Sequence, residues 1–206
     1  KYPIISVSQK PLDFGTNICV GDIGLSYYNC YKQILEGARK VKTKYVVLCE
    51  DDTLYSQEHF SHRPSNDEVF SFNKNMWYAE EIGFWNKGRT GMCTCIVSTK
   101  YLIDILAPRF IRFPESASLS PKTMLKHFQE PGRFDGANVE YFETTIPILT
   151  FNYFHALGGK AGSFHSPPIV KQSLVPWGDA WELKKKFWGK ARPRGEGMQN
   201  FGYTGK

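Results

Sequence analysis

Negative charge is the scarcer sign in this chain. Its 206 residues hold 20 Asp and Glu against 26 Lys and Arg, a formal net charge of +6. Such a balance favours nucleic acid or phosphorylated ligands over acidic partners. Cysteine is sparse and poorly spaced for a framework. The five, Cys19, Cys30, Cys49, Cys93 and Cys95, are odd in number and contain no C-x-x-C pair, which argues against a disulfide scaffold and against a zinc site. Most lie in apolar runs and read as buried thiols of a reducing compartment, so the expected location is cytoplasmic. No stretch approaches the roughly 20 apolar residues of a membrane span. No leader pattern is legible either, so no membrane partner is expected. No internal repeat and no clear domain boundary stand out. What remains is 41% hydrophobic and 15% aromatic, enough for one substantial core. The expectation is a single domain over residues 1–189, followed by a basic tail at 190–206.

One stretch organises the rest. An apolar, β-rich run from Tyr45 to Cys49 ends in three consecutive carboxylates, Glu50, Asp51 and Asp52. The run lacks alternation and predicts a strand buried on both faces, as in an α/β sheet. Three acids at the carboxyl end of such a strand repel one another and lose water. A divalent cation compensates, since hard oxygen ligands suit magnesium or manganese. The competing explanation is an N-cap, with Asp51 or Asp52 starting a helix near Ser56.

Around this stretch the pattern predicts alternating strands and helices. Pro3 to Ser8 and Asn17 to Val20 read as short strands. Tyr27, Cys30, Tyr31, Ile34, Leu35 and Ala38 recur at helical spacing behind Ser26 as N-cap, and Arg39, Lys40 and Lys42 suit the negative end of that helix. Residues 56–68 read as a polar loop in which His59 and His62 are surface residues. Val69 to Phe72 and Met92 to Ser98 read as strands, and Trp77 to Trp85 is ambiguous. A short helix over Thr99 to Leu106 is expected to stop at Pro108. Further helices are predicted at Pro121 to Gln129 and Trp177 to Trp188, with a β-rich run at Ile146 to Phe154 between them.

This order, strand, strand, helix, strand, then Glu50, Asp51 and Asp52, resembles the nucleotide-binding half of GT-A fold glycosyltransferases. Ser8, Gln9, Lys10 and Pro11 after the first strand, and Lys42, Thr43 and Lys44 before the acidic strand, extend the resemblance to family 2-type enzymes. The small bacteriophage glycosyltransferase-like proteins that act on modified DNA bases are similar. The resemblance spans about residues 3–157. It implies a GT-A-like (Rossmann-like) α/β fold with a mixed, mostly parallel sheet flanked by helices, and a host-cytoplasmic location if the chain is phage-encoded.

It also implies a metal-dependent glycosyltransferase using a nucleotide-diphospho-sugar, a UDP-sugar first, with Mn2+ or Mg2+. The metal would be held by Asp52, assisted by Glu50 or Asp51, and completed by His155 at the end of a later strand, with His165 as its alternative. Ser8, Gln9, Lys10, Asp51 and Arg89 would meet the nucleotide donor, and Asp13 or Asp22 the base or ribose. An inverting enzyme needs a general base, for which Glu130 is best placed, with Asp135, Glu140 and Glu143 competing. Trp77, Tyr78, Phe84 and Trp85 could stack on an acceptor, although core packing explains aromatics equally well. Lys184, Lys185, Lys186, Lys190, Arg192 and Arg194, interleaved with Phe187 and Trp188, point to a polyanionic acceptor such as DNA carrying a hydroxylated base, or to a clamp on the donor diphosphate. The rival readings are a nucleic-acid-binding protein of this fold without transfer activity, and a metal-dependent nucleotidyltransferase or nuclease.

Overall fold

The computed structural model describes residues 2–80, 83–86, 88–116, 119–151 and 170–188. In chain order the elements are β1 (Ile5–Ser8), β2 (Thr16–Cys19), α1 (Tyr27–Ala38), β3 (Tyr45–Val47), β4 (Thr53–Leu54), α2 (Gln57–Ser61), β5 (Phe70–Asn73), β6 (Met76–Glu80) and β7 (Gly83–Trp85). Then come β8 (Cys95–Ser98), α3 (Thr99–Arg112), α4 (Pro121–His127), β9 (Val139–Phe142), β10 (Ile148–Phe151), β11 (Val170–Lys171), β12 (Ser173–Leu174), β13 (Gly178–Asp179) and α5 (Ala180–Trp188). The protein is mixed α/β. It divides into two compact units, the first formed by Lys1–Leu48, His62–Phe72 and Gly91–Tyr141, the second by Cys49–Ser61, Asn73–Thr90 and Phe142–Lys206.

The first unit is built on a four-stranded sheet in the order β3-β8-β5-β9 and a separate parallel pair, β1 and β2. Its helices start where serine hydroxyls accept a free N–H three residues on: Ser26 from Asn29 at 3.1 Å, Ser98 from Tyr101 at 3.2 Å and Ser120 from Thr123 at 3.2 Å. Each cap satisfies one donor that the first helical turn leaves open. On α1 the apolar spacing buries Tyr28, Tyr31, Leu35 and Ala38 in a core shared with Leu102 and Leu106 of α3, Phe128, and Phe70, Phe72, Cys95 and Val97 of the sheet. The helix expected to stop at Pro108 continues to Arg112. Leu102 and Leu106 are fully buried before the proline, and the Phe110 ring lies 5.1 Å from Tyr28 and 5.3 Å from Phe128 after it. Packing on both sides offsets the ladder bond that proline lacks.

The second unit carries a five-stranded sheet in the order β11-β7-β6-β10-β4. β6 runs parallel to β10, pairing Met76 with Ile148 through Ala79 with Phe151, and antiparallel to β7. Trp77, Ala79, Phe84, Leu149 and Phe151 form its core together with Leu174 and with Ala180 and Leu183 of α5.

The mostly parallel sheet is not found. Among the described pairings only β1–β2 and β6–β10 are parallel. β3 is antiparallel to β8, pairing Tyr45 with Ser98, and β5 is antiparallel to β8. The connections account for this in part: a parallel neighbour needs a crossover of about a dozen residues or more, and the two residues between β6 and β7 allow only a hairpin. Nor is β3 buried on both faces. Its three residues are half-buried, and Tyr45 turns outward to donate its hydroxyl to Asp67 at 2.6 Å. Among the described residues no helix is long and apolar enough to cross a membrane.

Candidate functional site

After β3 the chain passes through Glu50, Asp51 and Asp52 in a tight turn and enters β4. The Thr53 N–H donates to the Glu50 carbonyl at 3.3 Å, closing the turn. Tyr55 brings its hydroxyl to the Glu50 N–H at 3.0 Å, and the Phe151 N–H donates to the Asp52 carbonyl at 2.8 Å, tying the turn to β10. The three acids are therefore not equivalent. Glu50 and Asp51 are exposed, whereas Asp52 is 8% exposed. One Asp52 oxygen accepts the Thr53 hydroxyl at 3.1 Å, and that hydroxyl meets the Thr150 hydroxyl of β10 at 3.1 Å. Burial raises the Asp52 carboxyl above its ordinary range, the Thr53 hydroxyl draws it part of the way back, and the neighbouring Asp51 charge pushes it up again.

The turn offers hard oxygen donors of two kinds, a buried carboxylate and two solvent-facing ones. Among the described residues no three of His, Cys, Asp and Glu converge as a metal cage. A magnesium site needs none, because one or two carboxylates with substrate phosphates and water complete its octahedron. Asp52 with an exposed neighbour fits that requirement. His155, the expected further ligand, and His165 lie outside the described residues.

The alternative role for the acids is not met. Ser56, not Asp51 or Asp52, caps the helix that follows, its hydroxyl accepting the His59 N–H at 3.3 Å. The stretch expected as a polar loop contains α2, and the histidines expected at its surface are drawn inward. His59 is fully buried, stacked 5.5 Å from the Tyr55 ring and 5.8 Å from the Phe142 ring. His62 is half-buried against the Ser71 hydroxyl at 2.8 Å, and loss of water lowers its pKa. Tyr55, Phe60 and Phe142 are the missed signal: an aromatic set against which the His59 ring packs.

The donor-side residues after β1 belong to the first unit. Ser8 donates its hydroxyl to the Lys10 carbonyl at 2.6 Å and accepts from Asn17 at 2.9 Å. Gln9 clasps the turn at Gly21–Gly24, its oxygen accepting the N–H groups of Ile23 and Gly24, both at 2.9 Å. Asn29, buried on α1, donates to the carbonyls of the same two residues. Gly21 and Gly24 have φ of 76° and 74°, the left-handed region that a side chain resists, which lets the backbone fold back onto Gln9. Lys10 and Asp13 are exposed, and Asp22 accepts the Gly24 N–H at 3.2 Å. Sequence reasoning missed Asn17 and Asn29, although an amide on the buried face of α1 is a legible anomaly.

Arg89 is exposed in the second unit, following Gly88 at φ 62°. Glu130, in the first unit, is half-buried and faces Arg133 at 3.7 Å. Its charge adds to the effect of burial in raising the phenols of Tyr27 and Tyr31. Its competitors have structural partners. Asp135 pairs with Arg109 and accepts the N–H groups of Gly132 at 2.7 Å and Ala137 at 3.1 Å. Glu140 accepts the Ser65 N–H at 3.0 Å and hydroxyl at 2.5 Å. Glu143 is exposed.

Of the four aromatics offered for the acceptor, Trp77, Phe84 and Trp85 are core residues, and Tyr78 stacks on Trp85 at 4.7 Å. Trp77 also borders a cleft of about 330 Å³ lined by Asn75, Thr145, Pro147, Lys171 and Leu174, with the Lys171 ammonium 4.9 Å from its ring centre. On α5, Lys185, Lys186 and Phe187 are exposed. Lys190, Arg192 and Arg194 of the expected basic tail lie outside the described residues, as does the side chain of Lys184.

No protein-family model, no curated protein and no solved structure matches the chain.

Proposed function

We propose that the protein is a metal-dependent glycosyltransferase that moves a sugar from a nucleotide-diphospho-sugar to a hydroxyl acceptor. The observation that carries this reading is the burial of Asp52 in a turn with two exposed acids. Loss of water raises its pKa, and among the described residues no cation is paired with it. A carboxylate in that state is ready for a divalent ion.

In transfer, the bond from the anomeric carbon to the diphosphate breaks and a bond from the acceptor oxygen to that carbon forms. The acceptor's proton passes to a base, and the nucleoside diphosphate departs with its charge. Mn2+ or Mg2+, when bound, would neutralise that departing charge as a Lewis acid. The chain's part is to supply Asp52 with Glu50 or Asp51 as oxygen ligands. The turn is fixed for this by its ties to Tyr55, Thr53 and β10. Exposed Lys185, Lys186 and Phe187 of α5 support a polyanionic acceptor, with DNA carrying a hydroxylated base as the first choice.

Nucleotide-sugars incubated with the protein and manganese test the reading. Release of a nucleoside diphosphate, absent in Asp52→Asn, supports it. Release of pyrophosphate instead would move the protein to nucleotidyl transfer. No turnover of any nucleotide-sugar, with oligonucleotide binding intact, would leave a nucleic-acid-binding protein.

A further inference from the structure

A second basic surface lies in the first unit, away in sequence from α5. The last residue of α4, His127, brings its ring to 4.8 Å from Phe113, the residue that closes α3, at a tilt of 43°. The Arg112 guanidinium lies 5.2 Å from the Phe113 ring centre. Arg112 and Lys126 are exposed, and the two rings are half-exposed. The platform is held from beneath. The Tyr28 hydroxyl, on buried α1, bonds the carbonyls of Phe113 at 3.1 Å and Pro114 at 2.8 Å. Phe128, wholly buried, packs 6.3 Å from Phe113.

Cations at a helix C-terminus suit its dipole, which explains the charges singly. It does not explain why two helix ends bring theirs together around a ring pair. The crowding has a cost: the His127 imidazole is held below its ordinary pKa, first by loss of water and then by Arg112, Lys126 and Arg109. Arg109 is not available to a ligand, because it is buried against Asp135 and the Gln129 carbonyl. Arg112 and Lys126 remain outward.

We propose that this surface binds single-stranded nucleic acid, with phosphates on Arg112 and Lys126 and a base against the Phe113–His127 ring pair. Cations that track a backbone beside an aromatic face are the recurring means of holding single strands. A phosphate there offsets the charge that Arg112, Lys126 and Arg109 exert on His127, so binding raises the His127 pKa and tightens as pH falls through the imidazole range. The inference extends the polyanionic acceptor of the proposed function. Measured without donor or metal, its failure leaves nucleotide-sugar turnover untouched.

The test is fluorescence anisotropy of a labelled oligonucleotide over a salt series, for the wild type and for the double variant Arg112→Gln, Lys126→Gln. Both positions are exposed, and circular dichroism checks that the variant folds. Loss of two phosphate contacts should flatten the slope of log affinity against log salt by roughly 1.4, at about 0.7 per contact on a single strand. NMR titration of His127 should show its pKa rising on adding the oligonucleotide to the wild type. An unchanged salt slope in the variant would overturn the proposal. So would a His127 titration that the oligonucleotide does not move, or anionic lipid vesicles binding this surface where the oligonucleotide does not.

Discussion

Asp52 and Asp135 are both carboxylates held in turns, and the chain treats them in opposite ways. Asp135 meets the Arg109 guanidinium and two backbone N–H groups, and Arg109 in turn holds the Gln129 carbonyl at 3.0 Å. Both of its oxygens have a donor. Asp52 is more deeply buried, yet its side chain has the Thr53 hydroxyl, itself shared with Thr150, and no cation among the described residues. The first arrangement is complete as folded and fixes a loop. The second leaves a desolvated carboxylate beside Asp51, a costly state that a bound cation would offset.

The contrast implies mutations with different signs. Arg109→Met should have the largest effect. It leaves Asp135 part-buried without its cation and the Gln129 carbonyl without a donor, at a loss of about 3 kcal/mol in stability. Urea unfolding monitored by tryptophan fluorescence would measure it. Gln9→Ala comes next: the Ile23 N–H loses its acceptor while the Gly24 N–H keeps Asp22, at about 1 kcal/mol, with faster hydrogen exchange at Ile23 above all. That variant separates a structural Gln9 from one that meets the donor, since a clasp predicts lost stability with donor affinity following only as the turn loosens.

The smallest change belongs to Asp52→Asn in metal-free protein, and its sign is the opposite. A carboxyl whose folded pKa is raised contributes stability that is fully present below its unfolded value, about 3.9, and is lost as pH rises through the folded value. At neutral pH the variant should therefore be at least as stable as the wild type. Acidification below the raised pKa should shift the difference toward the wild type. A variant clearly less stable at neutral pH in the absence of metal would make Asp52 a structural carboxylate like Asp135.

The first unit was largely legible in the sequence because local rules agree there. Ser26, Ser98 and Ser120 each begin a helix as capping chemistry dictates, and the spacing of Tyr31, Leu35 and Ala38 marks the buried face of α1, although Tyr28 and not the expected Tyr27 is the tyrosine buried at its start. The second unit was not. β4, β11, β12 and β13 are two residues each, and β4 and β11 are defined by distant partners, as when Leu54 pairs with Leu149. No periodicity survives in two residues. His59 departs from expectation for a related reason: a polar stretch reads as surface, and the Phe142 ring stacked on it is 83 residues on. Pro108 reads as a stop in the sequence because propensity is local, whereas the packing that carries α3 past it is not. At the candidate site the acidic triplet was visible, but its division into one buried and two exposed acids was not. That division comes from the tie between Asp52 and β10, a long-range bond that no local pattern encodes.

The central claim is that Asp52 holds a divalent cation, and the most direct measurement is the thermal stability of wild type and Asp52→Asn with manganese and a nucleotide-diphospho-sugar. With ligand at about 100 times its Kd, binding to the folded state alone adds about 2.7 kcal/mol, a rise of several degrees in Tm. The account predicts that rise in the wild type, its loss on adding a chelator, and its absence in Asp52→Asn. Equal manganese-dependent stabilisation of the two proteins would contradict it.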